Sequence, residues 1–497
     1  MDSPRETTLR RERVFPRPSE RRLGRFSAAD SATSFDHAAD DLVIIQTSDD
    51  ADVANPSGAI DGDSTWPLAS LKAIGAIGGL ISGLAFGILG FLEREDTLAG
   101  IVIVPVLTLL AASFAKRFVL PRTNATIAAL VLAGFGARML GAVPRLISGA
   151  DSPIYQREGI RIADALRSYD FLVDTGRSIP GTGSVRYFTG VLNVLTGTTY
   201  IATFMIFVVL AFVGQVFFLF AIKPVLTTRQ FQIAGLLIMF SPTMVYWPSS
   251  IGKESLALFG IGFALYGAGK VYDRRWSGLV QLTWGVLVVG MIRPHVAMLL
   301  LAALFVGLFA RQAENKRRFA VHMVVLSLVV VGSMFTAGAS ARLFNLESFD
   351  GVADVSAALD FAEARTSQDS AAFSAARVGS VTDYPKAAVT VLFRPFVWEA
   401  TNAPSLVSAI EGTFLGALMI YSLSGFRRQF KVVVQQGQLL FAVGFTAVFV
   451  FVFAAIGNFG ILSRQRAQVI PFVLLLIAVG VGADKHRERK QERRWSP

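Results

Sequence analysis

The sequence predicts an all-α polytopic membrane protein of about 12 transmembrane helices, with two long external loops that contain amphipathic helices. Three observations carry this expectation. Hydrophobic residues make up 53% of the 497 residues and charged ones only 17%, with a mean hydropathy of +0.52, a balance that soluble domains rarely reach. Apolar runs close to spanning length recur along the chain. Between them, Lys and Arg gather in every second loop. The same composition excludes several chemistries. With no cysteine there are no disulfides, thiolate metal sites or cysteine nucleophiles, and four scattered histidines do not make a metal cage. The net charge of +11 does not indicate a nucleic-acid partner, because much of the basic excess lies in short loops beside apolar runs and in the tails, where it sets orientation.

Residues 1–66 begin Arg-rich and turn Asp-, Ser- and Ala-rich, with few aromatics and no apolar run long enough for a signal peptide. They read as a disordered, uncleaved cytoplasmic tail whose basic start can meet anionic lipid. The membrane domain is expected over residues 67–484, and residues 485–497 form a basic cytoplasmic tail.

A helical span takes roughly 20 apolar residues. The candidates are Ser70–Leu92, Leu98–Ala115, Ala125–Val143, Thr199–Ile222, Phe231–Trp247 and Ser255–Val271, then Leu279–Ile292, Val296–Ala310, Phe319–Ala337, Val407–Leu423, Leu439–Ile456 and Ala467–Val481. Leu279–Ile292 and Val296–Ala310 are short and are split by Arg293-Pro294-His295, which suits a shallow hairpin as well as two spans. With the N-terminal tail in the cytoplasm, the basic loops fall on one side: Lys116/Arg117/Arg122, Lys223/Arg229, Lys270/Arg274/Arg275, Arg311/Lys316/Arg317/Arg318 and Arg427/Arg428/Lys431. The tail from Lys485 to Arg494 joins them, so both termini are expected to be cytoplasmic, in a multi-pass protein of the plasma (inner) membrane.

This topology puts both long loops, residues 144–198 and 338–406, outside. Asp151 lies just past an apolar run, with Tyr155, Gly159 and Ala163 recurring on one helical face behind it. A carboxylate at a membrane surface is where a membrane enzyme would keep the base for transfer to a hydroxyl. Asp151-Ser152-Pro153 is equally a good helix start, and capping is the simpler role. The other acids of this loop, Glu158, Asp164, Asp170 and Asp174, read as the solvated face of amphipathic helices lying on the membrane, as in Ile160–Leu172.

Cations on the translocated side run against the usual charge bias, and an anionic ligand at that surface is one reason for them. Lys253 and Glu254 open a span after the helix breakers Pro242 and Pro248; Lys253 suits a phosphate as a point charge, and Glu254 suits a cap or a partner for it. Tyr246 and Trp247 beside them also fit plain interfacial anchoring. Arg293 occupies a tight external turn as a headgroup anchor or a ligand contact, and His295 suits hydrogen bonding rather than metal. Arg394 ends the second long loop, Glu411 lies just inside the next span, and Arg464 and Arg466 flank a glycine-containing turn suited to gripping a diphosphate. Arg138 is a lone intramembrane cation. No carboxylate stands near a helix midpoint and no phosphate-cradling P-loop appears, which speaks against an ion-coupled transporter and against nucleotide hydrolysis.

These stretches together resemble the GT-C superfamily of integral-membrane glycosyltransferases, bacterial enzymes of which use polyprenyl-phosphate sugars. Asp151-x-x-x-Tyr155 with Gly159 and Ala163 looks like that superfamily's acidic loop motif, and Tyr187–Gly197 is similar to the segment that re-enters the membrane there. Ser241–Tyr266 resembles the pattern around a later span, and Asn458–Pro471 looks like an Arg-rich external turn shared with polysaccharide polymerases. The likeness covers Ala125–Val271 well and the remainder loosely. It implies Asp151 as catalytic base, and Tyr155, Lys253, Glu254, Arg293, His295, Arg394, Arg464 and Arg466 as substrate-binding residues. Its implied partners are a lipid-linked sugar donor, a glycan or lipid acceptor and membrane lipids. There are departures: the acidic loop follows the third apolar run instead of the first, making Ser70–Ala115 an added pair. No paired acid stands at Asp151-Ser152, so no cofactor is assigned and a divalent metal, though compatible, is not indicated. The implied activity is hexosyl or pentosyl transfer in cell-envelope polysaccharide biosynthesis. An O-antigen or exopolysaccharide polymerase or ligase is the rival enzyme, and a non-enzymatic saccharide flippase or scaffold the rival of another class.

Overall fold

The structure, a computed structural model, describes residues 97–148, 151–273, 275–308, 352–366 and 373–483, with scattered positions between 77 and 88. Outside the described residues lie the N-terminal tail, most of the expected span Ser70–Leu92, all of Phe319–Ala337, the basic loop from Arg311 to Arg318, the opening of the second long loop and the basic tail.

Among the described residues every regular element is a helix. The first are α1 (Thr97–Phe114) and α2 (Ala125–Ser148), then α3 (Ser152–Arg167) and α4 (Thr182–Thr196) of the first long loop. Next come α5 (Tyr200–Ile222), α6 (Thr228–Phe240), the short α7 (Pro242–Tyr246), α8 (Lys253–Tyr272), α9 (Ser277–Ile292) and α10 (Pro294–Leu308). The second long loop contributes α11 (Val352–Thr366) and α12 (Tyr384–Phe393). The chain continues through α13 (Ala403–Arg428), α14 (Phe430–Gln435), α15 (Gly437–Phe453), α16 (Phe459–Arg466) and α17 (Ile470–Val481).

Among the described residues five stretches are long and apolar enough to cross a membrane: Val102–Arg122, Ala125–Ser148, Tyr200–Val225, Lys253–Tyr272 and Ala403–Arg428. The pair α16 and α17 makes a sixth if it is one span broken by its 63° bend. Twelve were expected from sequence, and the difference among the described residues is one of length. The apolar helices α9, α10 and α15 fall short, α9 rising only about 24 Å against a hydrocarbon core of about 30 Å. The expected span Phe231–Trp247 is broken at Ser241, whose extended ψ of 125° precedes Pro242. Glu411 of α13 caps the new helix start, its carboxylate accepting from Thr243 N at 2.9 Å and from the Ser241 hydroxyl. On α13, Ile410, Phe414, Ile420 and Tyr421 are each more than half exposed, a face that lipid suits better than water. These are the helices of a membrane-embedded protein.

Two local expectations are corrected. α2 does not stop near Val143 but runs through Pro144 to Ser148, so Asp151 stands at the junction of two helices. Nor does the helix of the first loop run over Ile160–Leu172. α3 ends at Arg167, and the face carrying Tyr155, Gly159 and Ile162 is buried, with Gly159 against Thr189 and Ile162 against Gly190 of α4.

The helices that hold the site meet through glycine. α8 and α9 run antiparallel with Gly260 opposite Gly285 and Gly267 opposite Gly278, contacts so close that a Cβ would strike the facing backbone. Carrying that register toward the start of α8 brings Glu254 opposite the end of α9, where Arg293 sits. Gly262 meets Gly214 of α5 in the same way. Between α5, α15 and α17 the core is aromatic, with Phe472 packed against Phe218, Phe441 and Phe445.

The intramembrane Arg138 is a brace. Its guanidinium donates to Gln215 Oε1 on α5 at 3.2 Å, to Ser249 Oγ at 3.1 Å and to Met244 O at 2.7 Å. Two helical turns on, Arg145 donates to Ser250 Oγ at 3.0 Å and lies over the rings of Tyr246 and Trp247. One face of α2 therefore fixes the segment between α7 and α8 that delivers Lys253 and Glu254. The two aromatics hold an arginine of the same chain.

Candidate functional site

A cavity of about 440 Å³ opens where α3, the segment before α4, the start of α8, the α9–α10 junction and α16 converge. Its lining holds Arg177, Arg186, Lys253, Arg293 and Arg464 against a single carboxylate, Asp151. Tyr155 and His295 complete the expected residues on its wall.

Glu254 sits just behind this lining, its side chain 1% exposed, in the first turn of α8 where the helix dipole favours an anion. It takes an ion pair from Arg293 and two hydrogen bonds from Arg464, Nε to Oε1 at 2.7 Å and Nη2 to Oε2 at 3.3 Å. Arg293 falls between α9 and α10 with backbone angles of −145° and 82°, and Pro294 starts the next helix. Its side chain is 5% exposed, yet Nε and Nη1 are buried with no hydrogen-bond partner among the described residues. A buried guanidinium lining a cavity with two unused donors offers them to an anion. Lys253 lines the same floor and makes no side-chain hydrogen bond among the described residues, while the His295 ring stands 6.0 Å from Phe453.

Asp151 occupies the N-cap position of α3 but its carboxylate makes no capping hydrogen bond. Instead Oδ2 pairs with Arg464 Nη1 at 2.7 Å, and the side chain is 41% exposed at the cavity. Ser152, next along, donates to Ile251 O at 3.1 Å and so ties the start of α3 to the approach of α8. One turn on from Asp151, Tyr155 is buried. Burial, reinforced by the Glu254 and Asp151 carboxylates, pushes its phenol up to about 12, so it stays a neutral donor at physiological pH.

Two expected residues are placed elsewhere. Asn458 caps the N-terminus of α16, accepting from Ile461 N at 3.1 Å, so the expected arginine-bearing turn is a helix. Residues two apart on a helix lie about 200° apart around its axis, and Arg464 and Arg466 therefore face opposite ways. Arg464 meets Asp151 and Glu254; Arg466 is buried and donates to Val391 O at 3.0 Å and to Arg394 O. Arg394 itself forks onto Glu399, with Nε at 3.0 Å from Oε1, and lies beside the stacked pair of Phe373 and Phe459, within 5.0 Å of each ring centre. Neither Arg394 nor Arg466 lines the cavity.

Arg177 and Arg186 line it without having been singled out in the sequence, where they look like ordinary loop charges. The available signal was the Gly- and Pro-rich run from Thr175 to Gly183, which shapes a turn around Arg177 just ahead of Arg186 on α4. The residues do not form a divalent-metal site: no cluster of three His, Asp or Glu side chains occurs among the described residues, and Asp151 and Glu254 are bridged by Arg464. Compared with protein-family models, curated proteins and solved structures, the chain has no match.

Proposed function

We propose that the protein is a membrane glycosyltransferase resembling the GT-C superfamily, with twelve spans, both termini cytoplasmic and the cavity on the external face of the plasma membrane. It moves a sugar from a polyprenyl-phosphate-linked donor to an envelope glycan, lipid or protein acceptor. The observation that carries this reading is Arg293, whose unused buried donors line a cavity that also exposes Asp151. In this scheme Asp151 takes the proton of an acceptor hydroxyl as that oxygen attacks the anomeric carbon. The bond from that carbon to the phosphate oxygen breaks, and Arg293 with Lys253 meets the charge gathering on the departing phosphate. Arg464 holds Asp151 in place and is itself held by Glu254. Arg394 and Arg464, on which a polymerase or ligase reading leans, are engaged by Glu399 and by Glu254 with Asp151.

The test is transfer by purified protein in lipid from a panel of polyprenyl-phosphate sugars. Wild type should transfer, and Asp151→Asn at equal protein level should not. Transfer surviving in Asp151→Asn would move the chemistry to the arginines, and no transfer from any donor would favour a flippase or scaffold.

A further inference from the structure

The cavity has a second group of cations at its rim, carried by different elements from its floor. We propose that Arg177 and Arg186 form a second anion subsite there, so that the cavity is filled by two negatively charged groups. This rests on the reading of the floor, Arg293 and Lys253, as a phosphate site.

The segment bearing Arg177 is fastened on three sides. Arg161 Nη2 donates to Asp174 O at 2.6 Å, Arg186 Nη1 to Thr175 O at 2.8 Å, and Gly181 N to Met291 O at the end of α9 at 2.9 Å. Thr175 Oγ1 also donates to the Arg177 carbonyl at 2.6 Å, across Gly176 at a φ of +63° that favours glycine. The backbone is thus committed while the Arg177 guanidinium lines the cavity and makes no hydrogen bond among the described residues. Beside it, the Arg186 side chain is 12% exposed and its Nε is buried without a partner. Its nearest carboxylate, Glu158, stands 3.7 Å away, near enough for an ion pair and too far for a hydrogen bond.

The Arg186 guanidinium, held by Thr175 O beside an imperfect counter-ion, and the uncommitted Arg177 guanidinium line one cavity with donors to spare, which a phosphate or carboxylate satisfies. On the floor Glu254 already neutralises part of the charge, so the rim is not a spillover of the same network. The second anionic group has two sources: the other phosphate of a diphosphate carrier, or an acid on the acceptor.

The experiment titrates purified full-length protein with inorganic phosphate and, separately, with pyrophosphate, comparing wild type, Arg177→Ala and Arg293→Ala. Arg177 is exposed and its side chain holds nothing in place, so its variant should melt as wild type does. Wild type should bind two phosphates, Arg177→Ala one with unchanged affinity, and Arg293→Ala should lose the other. Pyrophosphate binding about tenfold tighter than phosphate, with the gain lost in Arg177→Ala, would place both anions on one molecule. Two phosphates without a pyrophosphate gain would place the second on the acceptor. One phosphate in wild type, unchanged by Arg177→Ala and with no pyrophosphate gain, would overturn the rim subsite and leave the floor intact. No phosphate at all would overturn the floor reading, and the rim with it.

Discussion

One guanidinium joins the open carboxylate of the cavity to the buried one: Arg464 Nη1 lies 2.7 Å from Asp151 Oδ2, and Arg464 Nε lies 2.7 Å from Glu254 Oε1. A lysine is a point charge that cannot span two carboxylates as a fork does. Arg464→Lys should therefore lower kcat/KM for sugar transfer about 10- to 100-fold, the loss of one charge-assisted hydrogen bond. Arg466→Lys, on the opposite face of α16, should lower the unfolding midpoint instead, because it deprives the Val391 and Arg394 carbonyls of their donor. Equal loss of transfer in both, at equal stability, would contradict this division.

Glu254 is the only carboxylate paired with Arg293 among the described residues. Replacing it by Gln leaves two guanidiniums packed together, a broken buried pair worth about 3–5 kcal/mol. Denaturant unfolding in detergent should show that loss. The double variant Glu254→Gln with Arg293→Met should recover part of it by removing the stranded charge. A double variant less stable than the single one would refute the pairing energy.

Arg138 braces three backbone or side-chain acceptors inside the membrane domain. Arg138→Leu strands them, and a loss of about 2–3 kcal/mol is expected, read from thermal unfolding. Arg122→Leu, which gives up an exposed hydrogen bond to Phe118 O and a place over the Phe118 ring, should cost under about 1 kcal/mol.

Acid should loosen the second long loop. Burial raises the Glu399 carboxyl, but the hydrogen bonds from Arg394 and from Phe396 N outweigh it and hold the group below its ordinary value of 4.5. A depressed carboxyl stabilises the fold above its unfolded value, and that contribution fades as pH falls from about 4.5 through the folded value. Limited proteolysis of residues 394–399 should accelerate as pH falls below about 4.5 in wild type. In Glu399→Gln it should be fast throughout; a wild type indifferent to pH would count against the Arg394 fork.

The helical character, the membrane setting and the start of α8 at Lys253 were legible because they are local: apolar length, proline breaks and flanking charge. The cavity was legible only in part. Asp151 and Tyr155 share a helical face, and their spacing says so; that Asp151 pairs across the chain with Arg464 does not follow from any local pattern. Arg464 and Arg466 look like one motif in a turn, and Asn458 makes them two by starting a helix. Arg138 stands alone in the sequence because its acceptors, a Gln side chain on another helix and a Ser and a carbonyl in and after α7, are invisible until the helices pack. The seven-residue spacing of Gly260 with Gly267 and of Gly278 with Gly285 was in view, and would have brought Glu254 to Arg293 had the antiparallel register been drawn from it.

That glycine seam has an evolutionary corollary. Where glycine meets the facing backbone, any added carbon must wedge the two helices apart. If the floor binds a ligand as proposed, this seam makes it a frozen gauge, able to admit a new ligand only by losing its grip on the old one. On the same reading a change of specificity comes from the rim, where Arg177 rides on an exposed loop and can be exchanged alone.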